Sequence, residues 1–267
     1  MSDRTRTRGA LRTVATALAM IFVLAACQPI YTQAAGDHKN NDPDTRPWWC
    51  DSTGGGHGDH VMDPDPYEGI VKGELSWDDC LVNSIWFDML VDWSNQWTSE
   101  GVAEDAGFFQ VVPYATGMGT HHLNPNAPVD DVFDPANPEF IMFDGNGRSA
   151  ELTGFAWWVE SEGGPPEGFK GDNDWWHQHR DVCLSPQGTW WGQGGTRQAC
   201  ESAGGTFLPN ENMWMTHAWV LPDWQLQFDV FQNHHPCLKS TAEGGPITDR
   251  NDPCWMEAMH GGGHGGH

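Results

Sequence analysis

Apolar positions along the chain fall into two regimes. From Ser76 onward, Val82, Trp86, Leu90, Trp93 and Trp97 recur at spacings of three and four, and Ile85 and Met89 widen the same stripe. Ser76 can cap the start, and Asp78 and Asp79 suit the positive end of a helix dipole. The spacing predicts one long or broken helix from 77 to about 106, interrupted near Ser99-Glu100-Gly101. Beyond residue 108 the runs shorten. Phe108 to Val112 reads as a strand. Ile141, Met142 and Phe143 precede Asp144-Gly145-Asn146-Gly147, a strong turn signal, and Leu152 to Val159 reads as the partner strand. Asp174 to Cys183, Met213 to Leu221 and Gln225 to Phe231 are further strand segments, since Trp, Phe and Val favour pleated structure. Short runs between Gly- and Pro-rich turns predict a mainly β fold. The body is an antiparallel β-barrel or sandwich, with an N-terminal helical segment.

The flanks lack this patterning. Residues 27–66 are polar and rich in Asp, Gly and Pro, and read as a flexible acidic tether, pinned to the body at Trp48-Trp49-Cys50. Residues 260–267, HGGGHGGH, form a Gly-rich tail. Its three His either bind metal weakly or have no fixed role. Residues 67–259 read as a single globular domain.

The first 26 residues are a different kind of segment. Arg4, Arg6, Arg8 and Arg12 precede the apolar run TVATALAMIFVLAAC, which describes a secretory signal peptide. Leu24-Ala25-Ala26-Cys27 resembles the lipobox of bacterial lipoproteins. That resemblance implies cleavage before Cys27 and lipid on its sulfur. The protein is then exported and anchored to a membrane without spanning it, facing the periplasm or the cell exterior.

Charge narrows the partners. The chain has 13 Lys plus Arg against 37 Asp plus Glu, a net charge of -24. Without residues 1–26 the balance is 9 against 36, a net charge of -27. Such a surface argues against nucleic acid and attracts cations, metal ions included. Cysteine usage agrees with export. Besides Cys27 there are Cys50, Cys80, Cys183, Cys200, Cys237 and Cys254, an even set that reads as three disulfides in an oxidising compartment. Sequence permits 15 pairings, and neighbours in sequence are the first expectation. No CxxC spacing supports a thiolate metal site.

The main chemical signal is histidine. Seven of the 13 His fall in the body: His121-His122, His177-x-His179, His217 and His234-His235. On a strand, positions 177 and 179 share a face, so both imidazoles can meet one ion. Imidazole suits copper and zinc, and Trp175 and Trp176 are placed to shield such a site. His217 shares a strand face with Met213, Met215 and Trp219, which makes it a third ligand or a core His bonded to a carbonyl. His121-His122 reads as a loop at a strand end, with one of the two pointing inward. His234-His235 reads as a loop pair pinned by Cys237. Glu104, Asp105, Asp174 and Asp181 are acid–base candidates, and no HExxH signature is present.

Two resemblances follow from these motifs. Gly171, then five residues, then His177-x-His179, is similar to the opening of the cupin metal motif, without its Glu and without a recognisable second motif around His217. GMGTHHLNP at 117–125, WWHQHRDVC at 175–183 and THAWV at 216–220 resemble an uncharacterised group of exported bacterial proteins with GMGxH-NP, WHxHxxxC and HxW motifs. The resemblance spans about 100–237 and implies His121, His177, His179 and His217 as shared positions. His122 departs from it, and Ala156 stands where an acidic residue is expected.

These readings leave three function classes. One is an exported, lipid-anchored metal-binding protein holding copper or zinc. Another is a metal-dependent hydrolase or oxidoreductase. The third is a surface protein whose 16 Trp grip a protein or polysaccharide partner. A contiguous outward aromatic patch distinguishes the third; convergent His distinguish the first two.

Overall fold

The computed structural model describes Cys50 and residues 75–171, 173–226 and 230–255. The signal segment, Cys27, nearly all of the tether and the His/Gly tail lie outside these described residues. Helix α1 (Trp77–Ser94) starts where expected: the Ser76 hydroxyl accepts the Asp79 N–H at 3.1 Å. The chain breaks at 95–99 and resumes as α2 (Glu100–Asp105). Trp86, Leu90, Trp93 and Trp97 of the expected stripe pack on the core, but the residues read as widening it do not. Cys80, Asn83, Phe87 and Leu90 are buried, whereas Ile85 and Met89 are 40% and 37% exposed. Apolar residues surround most of this helix, so spacing alone does not set the limits of the buried face. The deciding residue is polar. Asn83 donates from Nδ2 to the Lys170 carbonyl at 2.9 Å and accepts the Lys170 N–H at 2.8 Å, docking α1 onto a loop as a strand would.

The rest is mainly β. Strands β1 (Phe109–Ala115), β2 (Gly119–Leu123), β3 (Phe140–Phe143), β4 (Leu152–Glu160), β5 (His177–Gln178) and β9 (Met213–Ala218) form one antiparallel sheet in the order β1-β2-β3-β4-β9-β5. It curls into a half-barrel. Strands β6 (Val182–Leu184), β7 (Trp190–Gly192) and β8 (Thr206–Leu208) form a second sheet in the order β7-β6-β8. A short helix, α3 (Arg197–Ser202), joins β7 to β8. The expected strand at 174–183 is therefore two strands in different sheets. The corner between them contains Asp181 at φ 52°, a left-handed conformation that ends the first strand's pairing. In the 225–231 segment no strand forms among the described residues, and 227–229 lie outside them.

Alternation gives the large sheet two distinct faces. Phe155 and Trp157 belong to an aromatic layer under α1: Trp93 meets Phe155 at 6.0 Å between ring centroids, Trp157 meets Phe169 at 5.0 Å, and Phe87 meets Phe169 at 5.4 Å. The concave face carries His121, Met142, Ala156, Trp158, Met215 and His217. Gly154 is required there. A Cβ at this position would stand 2.9 Å from the Ala218 carbonyl oxygen and 2.9 Å from the Trp219 ring.

Three disulfides pair neighbours in sequence, as expected: Cys50–Cys80, Cys183–Cys200 and Cys237–Cys254. They tie a pre-helical segment to α1, close the small sheet through α3, and staple the C-terminal loops.

Candidate metal centre

His121 and His122 sit in the middle of β2, not on a loop, because the Gly117-Met118-Gly119 turn is tight enough for pairing to resume at once. Being adjacent on a strand, they face opposite ways. His121 enters the concave side and His122 the side toward α2.

On the concave side two imidazole pairs form. His121 Nε2 lies 3.2 Å from His217 Nε2, and His177 Nε2 lies 3.1 Å from His179 Nε2. The pairs adjoin one another, with the His177 and His217 rings 5.1 Å apart. Strands β2 and β9 are separated by β3 and β4, so a flat sheet would hold them roughly 14 Å apart at about 4.8 Å per strand. The curl of the sheet closes that gap. Residues 177 and 179 share a face as expected, since β5 pairs with β9 and places His177 opposite Met215.

The tautomers can be argued from the partners. His217 Nδ1 lies 2.9 Å from the Asn233 carbonyl, which only accepts, so Nδ1 carries a proton. His179 Nδ1 donates in the same manner to Gln193 Oε1 at 2.8 Å. These are the outer contacts that orient ligating imidazoles in metal sites. Burial pushes the His121 pKa down to about 3, with the neighbouring His179 and His122 adding to the shift, so its ring is neutral. Its Nδ1 has no hydrogen-bond partner among the described residues.

Each pair alone has the spacing of an N–H···N hydrogen bond or of two nitrogens on one ion, and among the described residues no three of these four imidazoles bring ligand atoms within 4.8 Å of one another. Two nitrogens bound to one Zn²⁺ at about 2.0–2.1 Å in a tetrahedron stand roughly 3.3 Å apart. The two observed separations, 3.2 and 3.1 Å, are close to that edge. Ala156 pairs with His217 across β4 and β9 and is fully buried. It offers no donor.

On the opposite side a second cluster forms. Glu100, Glu104 and His122 each offer one ligand atom, all within 4.8 Å of one another, and this group can hold a metal ion. Glu100 Oε1 lies 3.2 Å from His122 Nε2, without hydrogen-bond geometry. Burial raises the Glu100 pKa, opposed by the hydrogen bond from Gly147 N–H, and burial lowers that of His122 to about 4. A cation here would satisfy both groups. Glu104 also accepts from Arg148 Nη1 at 3.1 Å, and that guanidinium competes with a metal for the carboxylate.

The remaining sequence candidates fall elsewhere. His235 is buried with both nitrogens in use: Nε2 donates to the Trp224 carbonyl at 3.1 Å, and Nδ1 accepts the Cys237 N–H at 3.2 Å. His234 is half-buried and packs on Gly117, where a Cβ would meet its ring at 2.9 Å. Trp176 does not cover the His pairs. Its Nε1 bonds Asp174 at 2.9 Å and its ring packs on Phe133. The indole beside His179 is Trp190, 5.3 Å away. Glu104 and Asp105 bind Arg148, and Asp174 also accepts the Phe169 N–H. Gln193, Asn233 and Glu100 were not expected from the sequence. Only Glu100 carried a signal, as an acid at the restart of a broken helix.

Against the His pairs lies a cavity of about 280 Å³. Phe140, Trp158 and Met215 line it from the concave face, and Val182, Leu184 and Trp190 from the small sheet. His121, His179 and Gln193 are among its polar lining residues. Among the described residues Trp191 is the only exposed indole, at 50%, so no contiguous outward aromatic patch forms there. No protein-family model matches the chain, no curated protein matches its sequence, and no solved structure matches its fold.

Proposed function

We propose that this is an exported, lipid-anchored metal-binding protein that holds copper or zinc at His121, His177, His179 and His217. The observation that carries the reading is the pair of close Nε2–Nε2 approaches at 3.2 and 3.1 Å, made by imidazoles from β2, β5, β9 and the β5–β6 corner. Across each pair an N–H of one ring can bond the lone pair of the other, and the same nitrogens suit copper or zinc. Bound there, the metal supplies Lewis acidity or, if copper, a redox centre. The chain's own part is to orient the rings through Asn233 and Gln193. The signal segment and Cys27 support export and anchoring, and the acidic surface draws cations toward the domain.

The test is elemental analysis of the exported protein carrying H260A/H264A/H267A, dialysed without added metal. One equivalent of Cu or Zn, lost in H177A/H179A, is the expected result. Folded protein that retains no metal refutes the reading. A metal-dependent oxidoreductase or hydrolase is the second reading, and the observation favouring it is the cavity beside the same His.

A further inference from the structure

On the side of β2 away from the imidazole pairs, Glu100, Glu104 and His122 bring three ligand atoms within 4.8 Å of one another. We propose that this group is an exchangeable site for a first-row divalent cation such as Mn²⁺, with Arg148 as the competitor for one of its carboxylates. The proposal is independent of the reading of His121, His177, His179 and His217 as ligands. The atom that points to an ion is His122 Nε2. His122 is fully buried, and its Nε2 has no hydrogen-bond partner among the described residues. It faces Glu100 Oε1 at 3.2 Å without hydrogen-bond geometry. A buried polar atom left in this way is costly. Two ligand atoms about 2.1 Å from one ion stand roughly 3.0–3.4 Å apart, from a right angle to a tetrahedron. The observed 3.2 Å lies inside that range.

Glu100 is held ready. The Glu100 and Gly101 N–H groups donate to the Ala150 and Arg148 carbonyls, each at 3.0 Å, which fixes the start of α2. Glu100 Oε2 accepts the Gly147 N–H at 2.7 Å, leaving Oε1 for the ion. Glu104 lies one helical turn on, so both carboxylates share a face of α2. Its side chain is 36% exposed and accepts from Arg148 Nη1 at 3.1 Å. Arg148 also binds the exposed Asp105 at 2.7 Å. Such surface pairs contribute little, so Glu104 can turn to the ion while Asp105 keeps the guanidinium. The donor set chooses the class of ion. Ca²⁺ and Mg²⁺ take oxygen ligands, which disfavours them beside a buried imidazole. Two carboxylates with one imidazole, and water from the Glu104 side, suit Mn²⁺. Mn²⁺ stands lowest in the affinity order of first-row divalent ions. With one of three ligands contested by Arg148, it exchanges, and dialysis removes it.

The test is a Mn²⁺ titration of the purified chain carrying H260A/H264A/H267A, read by loss of the spin-resonance signal of free Mn²⁺. Salt at about 0.15 M screens the acidic surface. One saturable site is expected, with the spin-echo modulation of a single imidazole nitrogen, and both should persist when H177A/H179A is added. Glu100→Gln keeps an acceptor for the Gly147 N–H and removes a ligand charge. Glu104→Gln does the same at an exposed position where folding is not at stake. Each should weaken Mn²⁺ binding at least fivefold. Arg148→Gln frees Glu104 and should tighten binding at least threefold. Arg197→Gln and Glu201→Gln take the same charges from an exposed ion pair on α3, and should change it less than twofold. Absence of a saturable site overturns the proposal and leaves a proton, not a metal, between Glu100 and His122. Binding that falls as far in Glu201→Gln as in Glu104→Gln overturns it as well, as adventitious binding to the acidic surface. Binding no tighter in Arg148→Gln overturns the competition assigned to the guanidinium.

Discussion

Replacing Glu139 by Gln should make the domain more stable at pH 8 and change it little at pH 4. Glu139 is 2% exposed at the entry to β3. Its Oε2 accepts the Trp158 N–H at 3.0 Å, and an amide oxygen can take over that bond. Burial is the main cause that raises its pKa from 4.5 to about 7, with Asp130 and Asp134 adding to it and backbone hydrogen bonds opposing. Below pH 4.5 the carboxyl is protonated in both the folded and unfolded chain, and pH has no effect through this group. Between 4.5 and 7 the unfolded chain ionises while the folded one keeps its proton, so stability falls as pH rises. Above 7 the penalty is complete. Each pKa unit corresponds to about 1.4 kcal/mol, so the displacement amounts to roughly 3 kcal/mol. For a domain of this size that is roughly 6–12 °C in Tm. Thermal melts of both proteins from pH 4 to 8 measure it. The Tm difference should grow with pH through this window and level off above 7. A difference that stays flat across the window would refute the assignment.

His235 has the opposite sign: burial pushes its pKa from 6.5 down to about 3. The unfolded chain takes up a proton below 6.5 while the folded chain does not, so stability present above 6.5 is lost as pH falls toward 3. His235→Gln should shrink the acid side of a urea-midpoint-versus-pH curve, and an unchanged acid side would count against it. Asn83→Ala leaves the Lys170 N–H and carbonyl without their side-chain partner. It should cost about 2–6 kcal/mol in chemical denaturation, at roughly 1–3 kcal/mol for each of the two unsatisfied groups, and a loss below 1 kcal/mol would contradict the docking role. Reducing Cys183–Cys200, which spans 17 residues, removes about 3 kcal/mol of loop constraint. A C183S/C200S protein should show faster hydrogen exchange in β6 and β8 than in β4, whereas uniform exchange would mean that the bond does not hold the small sheet separately.

Much of the fold is legible in local pattern, and the exceptions have physical causes. The Asp144-Gly145-Asn146-Gly147 turn announces the β3–β4 hairpin because left-handed backbone conformations favour those residues. The His177-x-His179 spacing announces a shared face because a strand repeats every two residues. The three- and four-residue spacing announces Trp86, Leu90, Trp93 and Trp97 as packed, whereas the polar anchor Asn83 lies outside that stripe and Ile85 and Met89, read with it, are exposed. The strand at His121-His122 is hidden because Gly117 and Gly119 read as loop, whereas they form a tight turn at φ 79° and 65°. The meeting of His121 with His217 spans 96 positions and depends on the curl of a six-stranded sheet, which no local period records. Glu100 and Glu139 are hidden for a related reason: acids read as surface until packing encloses them.

The most direct test of the central claim is X-ray absorption at the edge of whichever metal the purified protein retains. The account predicts a first shell dominated by imidazole nitrogens at about 2.0 Å, with the multiple-scattering signature of three or four His, and no retained metal in H177A/H179A. A shell dominated by oxygen with a single imidazole, unchanged in that variant, would contradict it and place the metal at Glu100, Glu104 and His122.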